Sequence, residues 1–294
     1  MPDNDQTRPK RQKRWSPDTL PSIDWKIEDE QGPLRFPRPD IVKVGLIQFP
    51  PIDDIQSNIQ RALQLAWQAA EEGADIVFFP EMFMLPWVFA DDTPNHELLA
   101  HTPDDPIWQP LRALAAERNM VLICSFFERG MEGRFYNSAL VIDTDGTTAG
   151  RYRKHHLPPD NERVHYVPDK GPYAAFSTRK GRLGVYICWD NFFPVGAQAL
   201  AIDAADLVFA PSAATEWNAL YKWKTAIQYN AMITGLPWIR LNRCESPFYS
   251  HLFAVNAEGQ AIHDTSDPDQ SITLIPIDYR ETQQVRQLWP FLED

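Results

Sequence analysis

The segment Ile41-Val42-Lys43-Val44-Gly45-Leu46-Ile47-Gln48-Phe49, halted by Pro50-Pro51, decides the fold class. A short β-branched run closed by prolines reads as a buried strand. After it, Ile59, Ala62, Leu63, Ala66, Ala69 and Ala70 recur at helical spacing between Ile55 and Glu72, and Gly73 supplies the stop. Asp75-Ile76-Val77-Phe78-Phe79-Pro80 is then a second strand. Strand, helix and strand in close succession open an α/β domain. Ligands in such sheets gather at the carboxyl ends of strands, and Glu81 falls just past one.

Downstream, a helix is expected near Pro106–Arg118, with strands at Met120–Phe127 and Asn137–Ile142. An Asp145-Gly146 hairpin turn leads into Gly150–Lys154. Leu183–Ile187 reads as a strand ending at Cys188. A helix around Val195–Ala204, the strand Leu207–Ala210, a helix near Ala219–Thr234 and the strand Trp238–Leu241 follow. From Ser250 to about Ile277 the pattern gives strands around the turn Glu258-Gly259. This interleaving of βα units with hairpins predicts helices segregated around mixed sheets rather than a doubly wound order. Upstream, residues 1–40 carry seven prolines and the basic run Arg8–Arg14 without apolar periodicity. A Pro-rich basic extension over 1–40 is therefore expected before a single domain over 41–294. Such an arm is ordinarily solvated; a subunit contact or an anionic partner is its other use.

The formal net charge of −12 argues against a nucleic-acid surface, because a polyanion is repelled by most of the chain. No apolar run approaches the roughly 18 residues of a membrane span, and the first residues lack a secretory pattern. Cys124, Cys188 and Cys244 are odd in number, widely spaced and without a CxxC pair. That excludes a disulfide framework and fits a cytoplasmic protein with usable thiols. His155-His156 are neighbours on an extended segment, point to opposite faces and make a poor joint metal site.

Three ionisable groups stand at strand exits: Glu81, Lys154 and Cys188. Singly, each has an ordinary explanation. Cys188 reads as an inert buried thiol, Glu81 as a helix cap and Lys154, between Arg151, Arg153, His155 and His156, as surface charge. Together they supply the nucleophile, base and oxyanion cation that acyl transfer requires.

Three segments in order, Phe78-Phe79-Pro80-Glu81-Met82-Phe83, Tyr152-Arg153-Lys154-His155-His156-Leu157-Pro158 and Gly184-Val185-Tyr186-Ile187-Cys188-Trp189-Asp190, resemble the motifs of the nitrilase-type carbon–nitrogen hydrolases. The resemblance runs from about Ile41 to Ile277, taking in Ala210-Pro211-Ser212-Ala213 and Leu241-Asn242-Arg243. It implies an α-β-β-α sandwich, assembly into homo-oligomers and no metal or organic cofactor. It also implies Glu81 as general base, Lys154 as oxyanion lysine, Cys188 as nucleophile and Glu162 as a second glutamate orienting the lysine or a water. Candidate substrate contacts are Trp189, whose N–H would join the oxyanion hole, Asp190, Phe192, Phe193 and Ala213. Trp87, Trp108 and Trp217 are further candidates for an aromatic pocket, with core packing the expected fate of at least half such rings.

Departures from the family pattern bear on the substrate. Val195 stands where many amide and carbamoyl hydrolases continue Pro-Glu, and Asp190 stands where nitrilases commonly have Glu. The long nitrilase tail is missing after Asp294. These favour amide or N-carbamoyl substrates, with a nitrile as the rival and a catalytically silent scaffold as the second rival. Pro159-Asp160-Asn161-Glu162 lacks the Gly-Tyr pairing of polyamine-carbamoyl hydrolases. Asn191-Phe192-Phe193 offers no arginine for a carboxylate, so an uncharged, bulky flank is expected. Arg163, Arg240 or Arg243 would have to serve an acidic one.

Overall fold

The computed structural model describes residues 37–87, 96–159, 162–215 and 219–289. The extension over 1–40 lies almost wholly outside the described residues, as does Trp217. The first sheet is built from β1 (Ile41–Ile47), β2 (Ile76–Phe78), β3 (Val121–Arg129), β4 (Phe135–Ile142) and β5 (Thr148–Arg153). Its sixth strand, β12 (Ile272–Asp278), comes from the far end of the chain and pairs antiparallel with β1. The second sheet holds β6 (Phe176–Thr178), β7 (Gly181–Val185), β8 (Leu207–Ser212), β9 (Trp238–Asn242), β10 (Leu252–Val255) and β11 (Ala261–Thr265). The orders are β12-β1-β2-β3-β4-β5 and β11-β10-β9-β8-β7-β6, each with a parallel centre and antiparallel edges. That is the mixed arrangement the alternation of βα units and hairpins predicts.

Strand pleating sorts the apolar side chains into layers. Val42, Val44, Leu46, Ile76, Phe78, Val121 and Ile123 point to the second sheet and share one core with Leu183, Val185 and Phe209. Phe78 meets Phe209 across the layers at 5.0 Å between ring centroids. Their neighbours Val77, Leu122, Cys124 and Leu140 point the other way. They pack on α1 (Ile55–Glu71) and α2 (Gln109–Arg118) through Ile59, Ala62, Ala66, Leu111 and Ala115. On the outer side of the second sheet lie α4 (Pro194–Ile202) and α5 (Leu220–Thr234), the latter against β9 and β10. The result is an α-β-β-α sandwich. Asp54 starts α1 by accepting the N–H groups of Gln56 and Ser57, and Gly235 ends α5 in the left-handed conformation that favours glycine. Gly150 lets the two edges close, since a Cβ there would come within 2.0 Å of the Phe176 ring.

Sequence periodicity missed three elements. β6 has three residues and α3 (Glu162–His165) has four, too short to show a period. The last helix, α6 (Tyr279–Leu288), starts on a side-chain cap from Asp278 directly after β12, with no turn residue to announce it. No helix among the described residues is long and apolar enough to cross a membrane. Trp108 is fully buried against Phe126, at 4.9 Å between ring centroids, in the layer beneath α1 and α2.

Candidate active site

Pro80 ends β2 because it has no N–H for the ladder, and the chain turns at once. Met82 takes a left-handed φ of 55°, with its N–H donated to Ser125 Oγ at 3.2 Å. Arg243, at the exit of β9, holds the same turn by donating to the carbonyls of Glu81 (3.0 Å), Met82 (2.8 Å) and Leu85 (2.7 Å). The Glu81 carboxylate is thereby aimed inward, fully buried. Asn137 Nδ2 donates to its Oε1 at 2.5 Å and Lys154 Nζ donates to the same oxygen at 3.0 Å. Its Oε2 has no hydrogen-bond partner among the described residues.

Lys154 leaves β5 with its N–H on Asn137 O at 2.8 Å. Its ammonium donates to both oxygens of Glu162, at 3.0 and 2.7 Å, as well as to Glu81. Glu162 is carried on the first turn of α3. Burial works against charge on Lys154, but the flanking Glu162 and Glu81 more than offset it and hold its pKa well above the usual lysine range.

Cys188 follows β7 and opens a five-residue 3-10 helix with φ at 46°, a conformation a non-glycine residue keeps only when its surroundings enforce it. Asn191 is the enforcer. Its Nδ2 donates to the carbonyls of Tyr186 (2.8 Å) and Cys188 (2.9 Å), while its Oδ1 accepts Trp238 Nε1 at 2.9 Å. Burial, then the nearby Glu81, raise the Cys188 pKa; Lys154 and the backbone N–H of Ala213, which donates to the sulfur, pull the other way.

Cys188 forms part of the wall of a cavity of about 430 Å³, together with Glu162, Trp189, Phe192, Ala213 and Trp223. Glu81, Lys154, Glu162 and Cys188 thus come together, and Trp189, Phe192 and Ala213 stand on the cavity. Asp190 and Phe193 do not. A 3-10 helix repeats every three residues, so Trp189 and Phe192 share the cavity face while Asp190 and Phe193 share another. That other face belongs to His156, whose N–H and Nδ1 meet Asp190 Oδ1 at 2.7 and 3.0 Å and whose ring stacks on Phe193 at 3.7 Å. Asp190 also accepts Tyr152 O–H at 2.7 Å. The pair anchors the turn that opens at Cys188 and does not line the cavity. Arg163, which donates to Leu157 O, and the buried Arg240 and Arg243 are off the cavity wall too.

A family model described as carbon-nitrogen hydrolase matches residues 43–287. The chain belongs to the carbon-nitrogen hydrolase family. This carbon-nitrogen hydrolase is 27% identical to the N-carbamoylputrescine amidase of Solanum lycopersicum, over 86% of its own length and 92% of that protein. It is 28% identical to the citrullinase of Francisella tularensis, over 86% of its length and 94% of that chain. Among solved structures it is similar to the carbon-nitrogen hydrolase of Helicobacter pylori, with a TM-score of 0.80, 27% identity and coverage of 87% and 95%.

Proposed function

We propose that this carbon-nitrogen hydrolase cleaves an amide or N-carbamoyl bond of a small molecule through a thioester on Cys188. One observation carries the reading: a buried carboxylate with one oxygen fixed by Asn137 and Lys154 and the other unpartnered stands in electrostatic contact with a thiol on the cavity wall. Glu81 Oε2 takes the thiol proton as sulfur bonds to the substrate carbon. The electrons displaced onto oxygen are met by the Lys154 ammonium, which is charged before the reaction begins, and by the Trp189 N–H. Collapse breaks the carbon–nitrogen bond, and protonated Glu81 gives its proton to the departing nitrogen. The same carboxylate then deprotonates water for thioester hydrolysis, and Glu162 holds the lysine in register throughout.

The flank of the substrate is bulky and not cationic. Trp87, Trp189, Phe192, Trp223 and Phe248 face the cavity, and its charged side chains among the described residues are Glu162, which already binds Lys154, and Lys222. A cationic tail such as putrescine's therefore meets no available carboxylate among the described residues there, and it meets the Lys222 ammonium. The relatives named for carbamoyl substrates support carbamoyl or amide cleavage over nitrile hydrolysis. A reducing cytoplasm suits the thiol, and the exposed Tyr221, Tyr229 and Met232 on α5 support a homo-oligomer.

The test measures kcat/KM for matched amide, ureido and nitrile forms of one aromatic scaffold, with Cys188→Ala as control. Amide or ureido turnover is expected, absent in the variant, whose melting stays near wild type. A nitrile preferred by more than about tenfold, roughly 1.4 kcal/mol of transition-state preference, overturns the reading.

A further inference from the structure

Two arginines are fully buried beside the site, and they differ in what balances their charge. Arg243 has Glu245 against it and three carbonyls to donate to. Arg240, in β9, makes no ion pair with a carboxylate among the described residues. Its NH1 donates to His251 Nδ1 at 3.0 Å and its NH2 to Asn242 Oδ1 at 3.1 Å, both neutral acceptors. Its Nε has no partner among the described residues. The guanidinium lies 4.7 Å from the centre of the Trp223 ring and 5.9 Å from that of Tyr249.

Burying a cation without an anion is among the costliest arrangements a core contains, and ring faces offset it only in part. Arginine does not escape by losing its proton: burial lowers its pKa, but from a value far above neutrality. The ionisable groups within its electrostatic reach include Tyr249, Cys188, Glu81 and His251. Trp223, on which it stacks, faces the cavity that holds Cys188. Glu81 and, behind His251, Asp264 are carboxylates within reach, but neither pairs with the guanidinium; the thiolate of Cys188 is a further negative charge that exists only during turnover.

We propose that Arg240 is a positioning residue for the reaction, a buried positive charge behind the Trp223–Tyr249 wall that favours the Cys188 thiolate and the anionic intermediates formed from it. It rests on the reading of Cys188 as nucleophile. It does not bind substrate, because Trp223 and Tyr249 stand over the guanidinium and the cavity wall excludes it. Lys154 and Arg240 then act on the same centre differently: the first by direct hydrogen bonds, the second by field alone. The field of a unit charge several ångströms away through protein is worth about a tenfold change in thiolate population.

The experiment follows iodoacetamide alkylation of Cys188 against pH by peptide mass spectrometry, in wild type, Arg240→Met, Arg240→Gln and Arg240→Lys, with kcat, KM and melting measured alongside. The neutral variants are expected to fold and to melt no lower than wild type, since they remove an uncompensated charge. They should alkylate about tenfold more slowly at a given pH, with the profile displaced to higher pH, and lose kcat while keeping KM. Lysine at 240 should recover most of the profile. Folded neutral variants with the wild-type profile overturn the proposal, as does failure of both to fold, which makes the arginine structural. Wild-type enzyme that still turns over after Cys188 is alkylated removes the nucleophile reading, a result obtained before any arginine variant is compared.

Discussion

β5 presents two charge clusters a few residues apart, and they are built on opposite rules. Glu128, buried, accepts Arg151 NH1 at 2.7 Å, Arg153 NH2 at 2.6 Å and Nε at 3.0 Å, and Ser138 Oγ at 2.5 Å. Both its oxygens are satisfied, and its arginines reach solvent, with side chains 37% and 18% exposed. Around Lys154 the proportions invert: one cation serves two carboxylates, none of the three is more than 5% exposed, and Glu81 Oε2 is left over. A satisfied network stabilises a fold; an unsatisfied buried oxygen costs free energy and is kept where chemistry uses it.

The sharpest way to break this contrast is Glu81→Gln, which keeps the shape and removes the base. A fall in kcat of at least about a hundredfold is expected, with melting nearly unchanged. Full activity in a folded variant would move the base elsewhere.

His251 extends the contrast to titration. It is fully buried, donating to Asp264 Oδ1 at 3.1 Å through Nε2 and accepting from Arg240 through Nδ1. Burial, then the Arg240 charge, depress its pKa to about 4, against 6.5 when exposed. The unfolded chain thus binds the proton more tightly. The stability this contributes is fully present above pH 6.5 and is lost as pH falls toward 4, on the order of 3 kcal/mol over the window. Urea midpoints at pH 7 and pH 4.5 should separate by more in wild type than in His251→Gln; equal separations would remove His251 as the cause.

Smaller effects belong to the satisfied cluster. Glu128→Gln should lose about 2 kcal/mol of stability, below the full cost of a broken buried pair because its arginines reach water, while the folded fraction keeps its kcat within about twofold. A matching fall in kcat would merge the two clusters into one functional unit. Least of all, Arg151→Ala should cost under about 1 kcal/mol, and less still in high salt.

What the sequence made legible was whatever local order encodes. Glu81, Lys154 and Cys188 stand at strand exits inside recognisable motifs, and the strands around them alternate plainly. Asp190 and Phe193 were misplaced because nearness to Cys188 in sequence was read as facing the cavity, and the five-residue 3-10 helix that separates the faces is too short to show a period. Asn137, Asn191 and Arg240 were not singled out as neighbours of Glu81 and Cys188, since their contacts depend on partners distant in sequence. Asn137 did carry a signal, an amide at the mouth of an apolar strand. Arg243 came up only as a partner for an acidic flank; its grip on the Glu81 turn spans 162 residues and leaves no local trace.

Because Glu81 and Lys154 leave the first sheet while Cys188 and Arg243 leave the second, the reactive centre does not exist in either layer alone. Lys154 meets Glu81 across 73 residues of chain, and Arg243 pins the Glu81 turn only after β9 is in place. Long-range closure of this kind comes late in folding. A nascent chain on the ribosome, or a fragment released by proteolysis, therefore carries Cys188 as an ordinary thiol, and the attack proposed for it would become possible only when the two halves have locked together.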